Sequence, residues 1–372
     1  MSAGPLPVLG PSSAVGRWVG LGPYYAMFPS QMPFSVIEEY CPPDGAVLDP
    51  FAGRASSIYA AVALGRTGWG VEINPVGWLY GRVKTRPAAR QSVLDLIHHL
   101  GELAGGVTQD QVDSLPPFFL ACYAPRVLRY LLAARQTLDW KTNQTAATLM
   151  AIILVHLHGK RSQSLSNQMR QSRAMSPEYC IRWWRERKSL PPDIDPVCFL
   201  VDRVEWRYAK GIPNLAQSRV ILGDAVAEVP QIKKEIDEGS AKPFSLLLTS
   251  PPYYSITNYN YDQWIRMWML GWDDRPVRTR GMWQSKFDSR ARYADLLTRV
   301  FGHCSEVLDR NATVYVRTDA RSFTYETTIA ILSSKFPGKK MAIIPRPLSK
   351  HNQTALFGDK SPKPGEVDII LE

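Results

Sequence analysis

The chain has 372 residues, 45% hydrophobic and 21% charged, with a net charge of +10 and a pI near 9.3. This composition excludes a disordered or fibrous chain and is enough for a large α/β domain with an insertion. The basic balance favours a polyanionic partner, and no apolar run approaches the length of a membrane span.

The first 20 residues are rich in Pro, Gly and Ser, with neither a basic start nor a continuous apolar region. They read as a flexible lead-in, not a signal peptide. Five scattered cysteines form no CxxC pair, and the six histidines complete no ligand pattern. A disulfide framework and a metal site are therefore not expected, and the chain suits a reducing cytoplasm. Short apolar runs then end in polar residues: AVLD at Asp49, GWGVE at Glu72, SRVILGD at Asp224, FSLLLTS at Ser250 and ATVYVR at Arg317. MAIIP and VDIIL are two further strands, expected to close the sheet as an antiparallel hairpin, with Lys350, Lys360 and Lys363 placed towards a phosphate backbone. Between strands, the segment Tyr293 to Leu308 is a predicted helix, with a 3.6-residue period through Leu296, Leu297, Val300, Phe301, Cys304, Val307 and Leu308. Continuous apolar strands alternating with amphipathic helices predict an α/β fold with a doubly wound, mostly parallel sheet. Ligands of such sheets bind at the carboxyl ends of the strands, where the polar residues gather.

The alternation stops between Arg82 and Ser218. Helix-like stretches replace it, and residues 85–215 read as an inserted, mainly helical subdomain. Within it, Lys160 to Lys188 holds eight Lys or Arg against two Glu, interleaved with Gln, Asn, Ser and Trp. Arginines, amides and aromatics together favour nucleic acid over a merely solvated basic face, and Lys160, Arg161, Asn167, Gln168, Arg170 and Arg173 are the candidate contacts.

The first strand turns at Pro50 to Gly53 and enters a helix near Ser56, where Ser56 or Ser57 is placed to cap it. Glu72 follows 23 residues after Asp49, placed to accept hydrogen bonds from a ribose diol. The turn is not GxGxxG. Its acid suits a cationic ligand instead, the amino or sulfonium region of S-adenosylmethionine.

Asp49-Pro50-Phe51-Ala52-Gly53 followed by Glu72-Ile73-Asn74-Pro75 resembles the first two motifs of the DNA amino-methyltransferases, which methylate an exocyclic nitrogen of cytosine or adenine. ILGDA, with Asp224 and Ala225, resembles their third motif, implied to meet the cofactor adenine. MFPSQMP, with Phe28, resembles their segment ahead of the first strand. The resemblance implies a Rossmann-like methyltransferase fold with S-adenosylmethionine as cofactor. Residues 21–84 and 216–372 would form the two parts of that domain, residues 1–20 its lead-in, and the insert the target-recognition subdomain. The family usually has a second glycine where this chain has Ala55, and alanine resists positive φ, so a differently shaped loop is expected.

Ser250-Pro251-Pro252-Tyr253 is the candidate catalytic tetrapeptide. The prolines stiffen the strand tip and offer two acceptors, the Ser250 hydroxyl and the Pro251 carbonyl, to the two hydrogens of an exocyclic amine. Tyr253 supplies a π face for developing positive charge. Tyr253 and Tyr254, with Asn258, Tyr259 and Tyr261 behind them, are placed to hold a flipped base, and Asp262 and Arg266 to order the loop above it. By resemblance, Ser in the first position marks cytosine-N4 enzymes more often than adenine-N6 ones. No Pro-Cys dipeptide is present, which sets aside a cytosine-C5 mechanism. The expectation is a cytoplasmic, site-specific cytosine-N4 methyltransferase acting on double-stranded DNA, accompanied by a restriction endonuclease or defence-system subunits and without a membrane. The alternatives are adenine-N6 methylation, methylation of another planar amine or amide in RNA or protein, and a non-catalytic DNA-binding subunit that keeps the fold.

Overall fold

The computed structural model describes residues 6–24, 28–172, 174–254, 259–276, 289–347 and 365–372, with the backbone alone for residues 259 and 260. Seven strands form one sheet: β1 (Ala46–Asp49), β2 (Thr67–Glu72), β3 (Ser218–Leu222), β4 (Phe244–Thr249), β5 (Leu308–Asp319), β6 (Met341–Arg346) and β7 (Glu366–Leu371). Their order is β3-β2-β1-β4-β5-β7-β6. The strands from β3 to β5 pair in parallel, whereas β7 runs antiparallel between β5 and β6. The strand order reverses at β1, so the loops after β1 and β4 diverge there and leave a crevice. All four residues of β1 are buried because both faces of the sheet are covered.

On one side, helices Ala225–Asp237, Arg290–Ser305 and Ser322–Lys335 pack against the sheet through Val229, Ile232, Leu297, Phe301 and Leu332. On the other, helices Ala14–Val19, Gln31–Tyr40, Ser56–Ala63 and Pro75–Thr85 share a single core with the stretch between Thr85 and β3. That stretch holds helices Arg90–Ala104, Gln109–Asp113, Pro117–Cys122, Pro125–Thr137, Gln144–His156, Pro177–Glu186 and Pro196–Tyr208. Gln144–His156 is apolar on every side, and Ala146 to Val155 are all buried, which makes it the axis of this half. Phe119 packs on Trp268 with ring centroids 4.4 Å apart, so the long segment between β2 and β3 and the one after β4 are welded together. No helix among the described residues is long and apolar enough to cross a membrane.

Three local expectations are corrected. The lead-in is not loose throughout: Val8, Pro11 and Ser12 are exposed, but Ser13 caps helix Ala14–Val19, and Trp18 is buried edge-on against Tyr208 at 5.1 Å. Apolar burial of one tryptophan outweighs the local Pro and Gly content. The helix before β5 ends at Ser305, because Leu308 is already paired with Phe244 of β4. Neither Ser56 nor Ser57 caps helix Ser56–Ala63; the cap position is Ala55, and both serines lie inside the first turn.

Candidate active site

The crevice begins with a loop held from beneath. Asp49 is buried at the tip of β1, and its Oδ1 accepts from the Phe51 amide at 3.1 Å and from Thr249 Oγ1 at 2.6 Å. Its Oδ2 accepts from the Ser57 hydroxyl. The carboxylate thus ties β1, β4 and helix Ser56–Ala63 together. Three protein donors meet its oxygens from below, and Oδ2, which accepts once, keeps a second lone pair. Burial outweighs those donors and pushes its carboxyl up to about 6.

Glu72 does the same for the far side of the loop. Its Oε2 accepts from the Gly53 amide at 2.6 Å and its Oε1 from the Asn74 amide at 2.7 Å. Burial, with the charge of Asp49 adding to it, pushes the carboxyl up to about 8 against these two donors. Each oxygen has given one lone pair to the backbone and retains another. Asn74 caps helix Pro75–Thr85 through Oδ1, while its Nδ2 is buried without a partner among the described residues. Asp224 caps helix Ala225–Asp237, accepting from the Val226 amide at 3.2 Å, and Ala225 is buried behind it.

The turn itself is left-handed twice, at Gly53 (φ 55°) and at Ala55 (φ 57°, ψ 46°). Ala55 does adopt positive φ, against roughly 1–2 kcal/mol of strain. Space for its methyl comes from Gly81, where a Cβ would stand 2.8 Å from that of Ala55. Two buried cations complete the support. Lys84 Nζ donates to the Arg54 carbonyl at 2.9 Å, and Arg54 Nη1 donates to the Gly22 carbonyl at 3.0 Å. Sequence reasoning missed Lys84, Arg54 and Thr249, since none stands in a motif position that announces a bond to this loop, and it gave Ser57 the role of a cap instead of a bond to Asp49.

The cofactor candidates thus surround one cradle. Among the described residues, a Cβ added at Gly53 would meet nothing nearer than Tyr24 Cε1 at 3.9 Å, which leaves space above the turn. Phe51 is half-buried in the turn, Pro50 and Ala52 are buried, Phe28 is half-buried against the core of the helical side, and the orphaned Asn74 amide is a spare donor. These residues fit S-adenosylmethionine: space over a glycine turn, carboxylate lone pairs for a diol, and an unpaired amide for a polar edge.

The tetrapeptide leaves β4 next to this cradle. Thr249, which holds Asp49, pairs with Val316, and Ser250 follows half-buried, with Pro251 buried and Pro252 half-buried. Tyr253 turns back so that its hydroxyl donates to Glu366 Oε1 at 2.8 Å. Burial, then the Glu366 charge, raise that phenol well above its ordinary value. Glu366 was not legible beforehand, because β7 enters the sheet from a remote part of the sequence.

Several nucleic-acid candidates are placed otherwise than expected. Tyr254 is not a free stacking platform; its ring packs edge-on against Tyr293 and Phe323, with centroids 5.9 and 5.0 Å away. Asn167 is buried, with Nδ2 donating to the Ser189 carbonyl at 2.9 Å and Oδ1 accepting from the Ser189 hydroxyl at 2.6 Å, so it fastens two loops and offers no edge to a base. Arg266 is fully buried, bonded to the Leu154 carbonyl at 2.9 Å and to Gln263 Oε1 at 2.6 Å, and orders the interior, not a surface loop. Lys160, Arg161, Gln168 and Arg170 are exposed on one loop. Asn258, Arg173, Lys350, Lys360, Lys363 and the side chain of Tyr259 lie outside the described residues. Among the described residues, no group of His, Cys, Asp and Glu could hold a metal ion.

A mostly parallel sheet that reverses order at β1, carries an antiparallel β7 and opens a glycine cradle at its carboxyl edge places the chain among the doubly wound α/β folds that bind ligands at the strand ends. Within that class, residues 11–76 match the N6/N4 methyltransferase family model, described as DNA methylase, and the match supports the resemblance to the DNA amino-methyltransferases. The stretch ends before the tetrapeptide. Among solved structures, the rRNA methyltransferase aviRa from Streptomyces viridochromogenes shares 10% identity at a TM-score of 0.36, over 97% of this chain and 92% of that one. A SAM-dependent methyltransferase from Agrobacterium tumefaciens shares 10% identity at a TM-score of 0.37, over 92% of this chain and 60% of that one. No curated protein matches the sequence.

Proposed function

We propose that this chain transfers a methyl group from S-adenosylmethionine to the exocyclic N4 of a flipped-out cytosine in double-stranded DNA. The observation that carries the reading is the position of Ser250: it follows directly on Thr249, whose hydroxyl bonds Asp49 at 2.6 Å beneath the cofactor cradle. A donor bound over Gly53 and an amine held by Ser250 would therefore meet at one point of the sheet edge.

S-adenosylmethionine supplies an electrophilic methyl group on a sulfonium. The chain supplies geometry. The Ser250 hydroxyl and the Pro251 carbonyl accept the two amine hydrogens, which favours a pyramidal nitrogen with its lone pair free for in-line attack. The nitrogen–methyl bond would form as the sulfonium–methyl bond breaks, with S-adenosylhomocysteine as the leaving group and one amine proton lost to solvent, and no covalent enzyme intermediate is needed.

Residues 85–215 serve in this reading as the target-recognition part. Exposed Lys160, Arg161, Gln168 and Arg170 share that surface with exposed Arg182, Arg185, Arg187 and Lys188 at and after helix Pro177–Glu186. Arginines suit phosphate and guanine edges, and the glutamine suits adenine. A restriction or defence setting, with a nuclease as companion, is the role such an enzyme would fill.

The test is methyl transfer to mixed-sequence duplex DNA from labelled S-adenosylmethionine, with digestion and mass spectrometry of the nucleosides. Labelled N4-methylcytosine, lost in Ser250→Ala, is the expected result. Labelled N6-methyladenine would keep the mechanism and reassign the base. Tight DNA binding with no label in any nucleoside would overturn the catalytic reading.

A further inference from the structure

The described residues from Met169 to Met175 lie in neither helix nor strand, yet side chains from the interior pin the backbone of this stretch and its approach. Trp184 Nε1 donates to the Gln168 carbonyl at 2.7 Å, and buried His158 donates from Nδ1 to the Arg170 carbonyl at 2.7 Å. Arg266 Nη2 holds the Gln171 carbonyl at 2.5 Å, and Trp264 Nε1 holds that of Met175 at 3.1 Å. The backbone is thereby fixed while the side chains of Gln168, Arg170 and Gln171 stay exposed. The pins belong to the half of the molecule that carries the cradle. Trp264 packs on Phe118 with centroids 4.8 Å apart, in the same core as helices Ser56–Ala63 and Pro75–Thr85, which start at the cofactor turn. Close packing makes one body of them, so the stretch stands at a set place relative to the cradle.

Two exposed amides on this stretch are set in opposite senses. Gln168 Oε1 accepts from the Arg161 backbone amide at 3.1 Å, so the arm left for a ligand is Nε2, a donor. Gln171 Nε2 donates to the Val155 carbonyl at 3.2 Å, so its remaining arm is Oε1, an acceptor. An amide held by the protein loses little freedom on binding and does not flip to suit another edge. A donor suits purine N7, guanine O6 or thymine O4, and an acceptor suits the amino group of adenine or cytosine. Cations for phosphates share the surface: Arg187 lies over Trp183 at 4.3 Å and Arg182 over Tyr179 at 5.8 Å, both arginines being exposed. Arginine-covered rings are poor platforms for the splayed bases of single-stranded RNA, whereas fixed polar arms between cations match a duplex major groove.

We propose that Gln168 and Gln171 determine sequence specificity by reading the major groove of duplex DNA, Gln168 as a donor and Gln171 as an acceptor, at a fixed offset from the target base. The offset is fixed because His158, Trp184, Trp264 and Arg266 pin the backbone that carries both amides. The inference deepens the double-stranded DNA reading and rests on it.

The experiment uses the full chain and duplexes with a randomised segment, selected by binding and sequenced. The wild-type protein should enrich one motif. Gln168→Glu has the same shape but only acceptors, and should turn the preference at one motif position by about tenfold, from a base edge that accepts towards an amino group that donates. Gln171→Met should relax a second position by about tenfold and leave the others. Arg182→Ala should weaken binding to all sequences alike and keep the motif. A motif that both glutamine variants leave unchanged overturns the inference. So does a wild-type protein that enriches no duplex, or that prefers a hairpin RNA. Selection reads binding alone, and methyl transfer to the selected duplexes is measured apart from it. A motif that shifts in a protein transferring no methyl group keeps the inference and removes the catalytic reading. Transfer to a motif that neither glutamine variant alters keeps the catalytic reading and removes the inference.

Discussion

Asp49 and Asp368 are both buried carboxylates near the same sheet edge, and their surroundings drive them in opposite directions. Asp49 is bonded by two hydroxyls and an amide, with no cation in contact, and burial pushes its carboxyl up to about 6. For Asp368 burial also acts upwards, but Arg317, Tyr315 and Arg346 overcome it and hold the carboxyl below the usual range. Asp49 is thus held by neutral donors that shape a loop, and Asp368 by paired charges that fix side chains. Paired charges give rigidity, and their removal is expensive.

The sharpest way to break the comparison is Asp368→Ala. It leaves Arg317 buried without its partner and should destabilise the fold by about 3–5 kcal/mol in urea titration. A loss below about 1 kcal/mol would show that solvent reaches the pair and that the contrast is false.

The next effect is on pH dependence. Asp49 and Glu72 have folded values of about 6 and about 8, above their unfolded values of about 3.9 and 4.3. The folded state then binds more protons, so their contribution to stability falls as pH rises from about 4 through about 8. Asp368, with a depressed value, contributes stability that is present above its unfolded value of about 3.9 and is lost only as pH falls through its lower folded one. Glu72→Gln should therefore flatten the decline in stability between about pH 6 and 8 by roughly 2 kcal/mol, read from denaturation at each pH. An unchanged slope would mean that the Gly53 and Asn74 amides already keep Glu72 ionised.

The smallest effect concerns the fit of the loop against its helix. Gly81→Ala should destabilise by about 1–2 kcal/mol, since its methyl would lie 2.8 Å from that of Ala55. Ala55→Gly alone should shift stability by less than about 0.5 kcal/mol, because relief of left-handed strain is opposed by the loss of a buried methyl. The pair Ala55→Gly/Gly81→Ala should recover most of the Gly81→Ala loss in thermal denaturation. Failure to recover would show that Gly81 is needed for another reason.

The strands were readable because each is a continuous apolar run ending in a polar residue, and all seven runs named from the sequence form strands. The closing antiparallel hairpin was readable for the same reason. What residue type could not reveal was direction. Asp49 and Asn167 stand in stretches rich in ligand-like residues, yet both point inward, because a buried polar group is cheaper to satisfy with protein donors than with none. Tyr254 turned inward for its ring area, against Phe323 and Tyr293. The partners that decide the site, Thr249 for Asp49 and Glu366 for Tyr253, join parts of the chain distant in sequence, and no local pattern encodes them.

The Asp49–Thr249 bond joins residues 200 positions apart. Between them lie two strands and every helix of the long segment after β2, much of which can form through local contacts. The central β1–β4 pairing has to wait until that length of chain has been closed into a loop, which makes it slow. Folding should therefore proceed with the helical half first and the sheet centre afterwards. Partly folded molecules would hold a formed basic surface able to meet a polyanion before the cradle beneath Gly53 exists.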